Sequence, residues 1–226
     1  MFPRAQLRRT LHRLTATLAA VALAATLASP APAETTHEAN EAAVMMTHTP
    51  SALPADAVLA QVTAPDGTLR FDIAEDGTRL SWADQPVFID RRAAYGAPFL
   101  AQGYIYPAGT LSATADGVNA DGSPQFPELV VGEWTCYGWY VGGGAQTTNG
   151  PWILATQIYQ FGSDWGAITL VSEGYVSTSS GRTVARAITG GTGPFAAARG
   201  EVRAATLGVN ETSGSNARYE VWLASP

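Results

Sequence analysis

Beyond about residue 60 the chain alternates short apolar runs with turn signals and shows no sustained helical period. Asp66-Gly67 and Asp76-Gly77 bracket Thr68 to Ile73, and Thr78 to Trp82 follows, which predicts a β-hairpin. Further strands are predicted over Phe99 to Tyr106, Leu129 to Val141, Trp152 to Phe161, Ala167 to Glu173, Thr183 to Ile188, Glu201 to Leu207 and Arg218 to Leu223. Strands in this number, at meander-like spacing, predict an all-β fold built as an antiparallel barrel. No repeat of 20 to 50 residues occurs, so a solenoid or propeller is not expected.

Two strands are apolar on both faces. Trp134, Cys136 and Tyr140 alternate with Glu133, Thr135, Tyr137, Trp139 and Val141, and Trp152, Leu154 and Ile158 alternate with Ile153, Tyr159 and Phe161. One face of a barrel strand lines the interior and the other meets solvent or a neighbour. Two apolar faces therefore point to a lined cavity plus a subunit contact, or to a second layer formed by the N-terminal hairpin with Phe71, Trp82 and Phe88. The pattern leaves open which face is inward.

Residues 1–33 have the make-up of an export signal: Arg4, Arg8, Arg9 and Arg13, an apolar run from Leu14 to Leu27, and Ala31-Pro32-Ala33 before Glu34. Cleavage after Ala33 and secretion are expected. The apolar run is shorter than the roughly 20 residues a membrane span needs. Residues 34–59, rich in Ala, Thr, Pro and acids, read as a disordered linker, leaving residues 60–226 as the barrel domain.

Removing the signal leaves nine arginines against 19 acids, a net charge of −10. Nucleic acid and anionic membranes are poor partners for such a chain. There is no lysine, so Schiff-base chemistry and a lysine base are excluded, and the Arg and Ala bias suggests a bacterial, GC-rich source. The histidines are His12, His37 and His48, all upstream of the barrel. That excludes a Ser-His-Asp triad and His-based metal sites from the barrel; neither a cofactor nor a metal is expected. Cys136 is the only cysteine, so no intramolecular disulfide forms.

The densest glycine run is Ile188-Thr-Gly-Gly-Thr-Gly-Pro-Phe195, followed by Ala198-Arg199-Gly200-Glu201-Val202. A phosphate-cradling loop would need a following helix, whereas Pro194 and a strand-like stretch follow here. With Tyr159-Gln-Phe-Gly162, Gly166-Ala-Ile-Thr-Leu170, Glu173-Gly174-Tyr175 and Val131-Gly132, the run resembles the allene oxide cyclase and dirigent protein superfamily over roughly Phe99 to Leu223. The resemblance implies a hollow barrel, a homo-trimer, and an arginine facing the cavity at the position of Arg199. It also implies a cysteine in the pocket: Cys136 stands two residues before the cyclases' position, on the same face. Pro194 stands where some dirigent-like relatives place an acid, so an acid catalyst here would be Glu133, Glu173 or Glu220.

A charge inside a barrel needs a partner, and Arg186 or Arg199 paired with Glu133 or Glu173 would supply one. Cys136, with no His or Lys to activate it, is a pocket-lining residue or an inert buried thiol rather than a nucleophile. Asp116 to Ser123 is rich in oxygen ligands but lacks calcium-loop spacing, and reads as a solvated turn.

Two functional readings lead. In the first, the barrel binds a small apolar molecule and orients it, with Trp134, Cys136, Tyr137, Trp139, Trp152, Tyr159 and Phe195 as binding residues and Arg199 as a polar anchor. In the second, it is a cyclase or isomerase acting on an epoxide or unsaturated intermediate, with Arg199, Glu133 and Glu173 as catalytic residues. A non-catalytic extracellular interaction role is a third.

Overall fold

The computed structural model describes residues 54–82, 96–141, 152–177 and 183–224. The export signal, most of the linker and Phe88 lie outside the described residues, as do the side chains of Trp82 and Trp152. One helix, α1 (Ala55–Val62), precedes nine strands: β1 (Leu69–Glu75), β2 (Ser81–Trp82), β3 (Pro98–Pro107), β4 (Gly132–Tyr140), β5 (Trp152–Phe161), β6 (Thr169–Ser177), β7 (Ala185–Gly191), β8 (Gly200–Val209) and β9 (Ser215–Leu223).

Strands β3 to β9 follow one another as antiparallel neighbours, β1 pairs with β9, and β1 also pairs with β3, closing an eight-stranded barrel. Every pairing is antiparallel, as the meander spacing predicts. The expected hairpin is corrected in one respect. Both of its segments are extended, but they pair in succession with β3, at Gly103 to Pro107 and then at Phe99 and Leu100. The break between them is a turn of 3-10 helix, Gly77–Arg79, with the Asp76 carboxylate accepting from the Thr78 backbone N–H at 2.9 Å. The DG signal thus offsets one edge of the barrel instead of reversing the chain.

Helix α1 spans the boundary at residue 59 between the expected linker and the barrel domain. Its Val58 and Val62, one turn apart on the same face, are 0% and 1% exposed and join the barrel core. That core continues through Phe71, Ile105, Phe161, Leu170, Ile188, Phe195, Val202 and Val221. Phe71 stacks on Tyr219 at 5.6 Å and meets the edges of Tyr159 and Phe161 at 5.4 and 5.6 Å. One end of the barrel is therefore solid.

The glycine run makes part of that plug. β6 and β7 slip register beside Gly190, whose φ of 151° is glycine-favouring, and Gly193 at φ 55° starts the short turn that inserts Phe195. Phe195 lies 6.1 Å from Phe161, 5% exposed.

A second core covers the outer face of β1 and β3. Residues 108–131 wrap over Ala74, Tyr104 and Tyr106 and bury Leu111, Val118 and Val130. Tyr104 and Tyr106 donate their hydroxyls to the carbonyls of Gly122 and Gly117 at 2.8 and 2.6 Å. This layer covers β1 and β3 and comes from a loop, whereas the one considered from the sequence was to come from the hairpin and cover β4 and β5, whose Tyr137, Trp139 and Leu154 stay exposed. The Asp116 to Ser123 turn is a cover for barrel tyrosines.

Candidate functional site

The end opposite the plug holds a cavity of ≈ 290 Å³, at the low end of the roughly 300–1,000 Å³ usual for small-molecule sites. Strand alternation turns Phe99 and Ala101 of β3, Trp134, Cys136 and Tyr140 of β4, and Ile153 and Gln157 of β5 inward. Val176, Val184, Ala204, Val209 and Ala217 continue an apolar wall around the other side.

The floor is polar. Arg186 of β7, 3% exposed, donates from Nη2 to Gln157 Oε1 at 2.8 Å and to the Tyr159 hydroxyl at 3.1 Å. Tyr159 also donates to Gln157 at 2.8 Å and shares a 2.9 Å hydrogen bond with Ser172. The guanidinium lies 5.6 Å from the centre of the Tyr219 ring. Gly174 faces this side chain, and a Cβ there would come 3.3 Å from Arg186 Cγ, so the glycine makes room for the arginine stem. Among the described residues, Arg186 has no carboxylate within ion-pair distance.

Glu75 supplies an acid on the cavity wall. Its carboxylate accepts from the Ser215 backbone N–H at 3.0 Å, and burial holds its pKa above the ordinary glutamate value despite that bond. Burial also pushes the Cys136 thiol up to about 12, so it is a thiol at neutral pH, touched by Gln157 Nε2 at 3.6 Å. Trp134 Nε1 is buried without an acceptor among the described residues.

The residues expected from the sequence are divided by this geometry. Trp134 and Cys136 line the cavity, and Tyr159 lies just beneath it, 0% exposed. Tyr137 and Trp139 point outward, 40% and 50% exposed, because they occupy the alternate positions of β4. Phe195 belongs to the plug, and the Trp152 side chain lies outside the described residues.

Neither Arg199 nor Glu133 nor Glu173 lines the cavity. Arg199 is exposed at the plugged end, donating to the carbonyls of Thr189 and Ala198 at 2.9 and 2.7 Å. Glu133 is buried on the outer face, 3.8 Å from Arg79. Glu173 is exposed beside Thr156. The structure does not pair Arg186 with either glutamate.

The fold and this site define a closed antiparallel β-barrel with one end plugged and a polar-floored cavity at the other. Solved structures similar to it include a pyocyanin demethylase (17% identity, TM-score 0.45, 70% of this chain and 99% of that one). A pterocarpan synthase dirigent protein (18%, 0.47, 69% and 82%) and a heme-binding cyclase of neoabyssomicin biosynthesis (14%, 0.44, 77% and 78%) are similar as well. Dirigent proteins, named by the sequence resemblance, are thus among the similar structures. No family model and no curated protein matches the sequence.

Proposed function

We propose that this chain binds a small, largely apolar molecule in the barrel cavity and orients it, as a dirigent-like protein would. The observation that carries the reading is the composition of the cavity: an apolar wall closing on a floor of fixed polar groups. Such a site selects a ligand by shape and sets its direction through the few polar contacts at one end.

A cyclase or isomerase reading is favoured by Glu75 rather than by the glutamates expected from the sequence. Burial on the cavity wall raises the Glu75 pKa, which makes it the stronger candidate to hold a proton and deliver it to a confined substrate. Secretion of the mature chain from Glu34 belongs to the same proposal. Among the described residues no helix is long and apolar enough to cross a membrane. The row of exposed apolar side chains on β3 to β6 supports assembly with further copies, as a homo-trimer.

The test is native mass spectrometry of the mature chain before and after denaturing release, with a titration of cinnamyl alcohol followed by tryptophan fluorescence. A co-purified small molecule, or saturable quenching that Ala204→Phe abolishes by filling the cavity, is expected. No bound mass and no saturation would overturn the reading.

A further inference from the structure

The chemistry of the cavity floor says more about the ligand than that it is apolar. An arginine stays protonated at any accessible pH, and burial without an anion is costly. Arg186 is fixed by neutral partners only: Gln157, Tyr159, Ser172 at a long 3.5 Å, and the face of Tyr219. These bonds occupy Nη2 and Nε. Nη1 has no acceptor among the described residues, and it is absent from the nitrogens sealed without a hydrogen bond, Arg70 Nε, Arg79 Nη1 and Trp134 Nε1. Arg186 lines the cavity, so Nη1 is open to it.

Glu75 does not cancel this charge. It is tied to the Ser215 N–H, and no ion pair joins it to Arg186. Its burial also favours the neutral carboxyl. The floor of the cavity is thus a positive, donor-rich surface beneath an apolar wall.

We infer that the ligand carries a carboxylate, seated head-down on the open edge of the Arg186 guanidinium, with its apolar body directed toward Phe99, Ile153, Val176 and Val209. The inference rests on the reading of the cavity as a binding site. It orients the molecule: the anion goes to the floor, and any reacting atom lies farther up, toward Glu75. The two N–H groups of the open Nη1, carried on a fixed positive charge, suit a carboxylate better than a hydroxyl or a carbonyl.

The test compares cinnamate with cinnamyl alcohol on the mature chain by isothermal titration at neutral pH. The two probes share the ring and differ in the head group. Cinnamate should bind about 10- to 100-fold more tightly, the range for one charge-assisted hydrogen-bonded contact. Arg186→Gln should abolish that preference, bringing the two affinities together.

Equal affinities in the unaltered chain overturn the inference and leave the binding reading standing. Failure of both probes to bind overturns both. A preference that survives Arg186→Gln overturns the assignment to Arg186. Where that variant does not fold, Arg186→Lys serves: it keeps the charge but loses the planar fork, and the preference should fall by about ten-fold.

Discussion

Asp72 and Arg218 are cross-strand partners on β1 and β9, joined by two hydrogen bonds, Nε to Oδ1 at 2.7 Å and Nη2 to Oδ2 at 3.0 Å. The carboxylate is fully buried, and its Oδ2 also accepts from the backbone N–H groups of Gly109 and Leu111 at 2.9 Å each. One side chain therefore fixes both the strand pair that closes the barrel and the start of the covering loop. Arg218→Met strands a buried carboxylate and should cost about 2–3 kcal/mol. The measurement is denaturant unfolding with amide exchange at Gly109 and Leu111, which should lose protection first; unchanged exchange there would show that the loop is held by other contacts.

Phe195 gives the glycine run its structural purpose. Replacing it with Ala removes a ring from the plug and should destabilise the fold by about 3–5 kcal/mol. Because Phe195 is outside the cavity lining, ligand affinity of the folded fraction should not change. Thermal unfolding and a cinnamyl alcohol titration check the two halves separately, and a large affinity loss in folded protein would return Phe195 to the binding site.

The strands and their antiparallel order were legible because alternation and turn residues are local signals. The pairing of β1 with β9 and β3 was not, since a DG step reads as a hairpin whether the chain reverses or steps along one neighbour. Helix α1 was hidden by its composition: two valines in an Ala-rich stretch bury a plug only when a barrel end is there to receive them. At the site, Trp134 and Cys136 were readable from the strand, but the inward charge was not. Arg186, Arg199 and Arg203 all sit in plausible strand positions, and the alternation about Ile188 on β7 and Val202 on β8 turns Arg186 inward and Arg203 outward. Glu75 carried no signal because its strand read as half of a separate hairpin.

Stability should fall as pH rises through the acid range on account of two carboxyls. Burial raises the pKa of both Glu75 and Glu133 in the folded chain above the ordinary glutamate value. Between the unfolded and folded values the native state binds more protons than the unfolded one, so stability is greatest below that window and declines up to the folded pKa. Glu75→Gln and Glu133→Gln should each flatten the decline. Denaturation midpoints from about pH 4 to 8 decide it, read as the difference between each variant and the unaltered chain. A variant whose profile parallels the unaltered one would show that its carboxyl is solvated.

The outer face of the barrel carries a continuous apolar row. Leu100 pairs with Tyr137, Trp139 with Leu154, and Leu154 with Tyr175, and each of these side chains is 40% to 54% exposed. Contiguous exposed apolar area of this kind marks contact surfaces, and neighbouring strands present it on one side of the barrel. If the chain forms the proposed homo-trimer, Trp139→Glu together with Leu154→Glu should convert it to monomers that remain folded, since neither side chain is in the core. Light scattering across a concentration series is the measurement: an unaltered chain that is already monomeric would remove the homo-trimer, and the double variant then has nothing to dissociate.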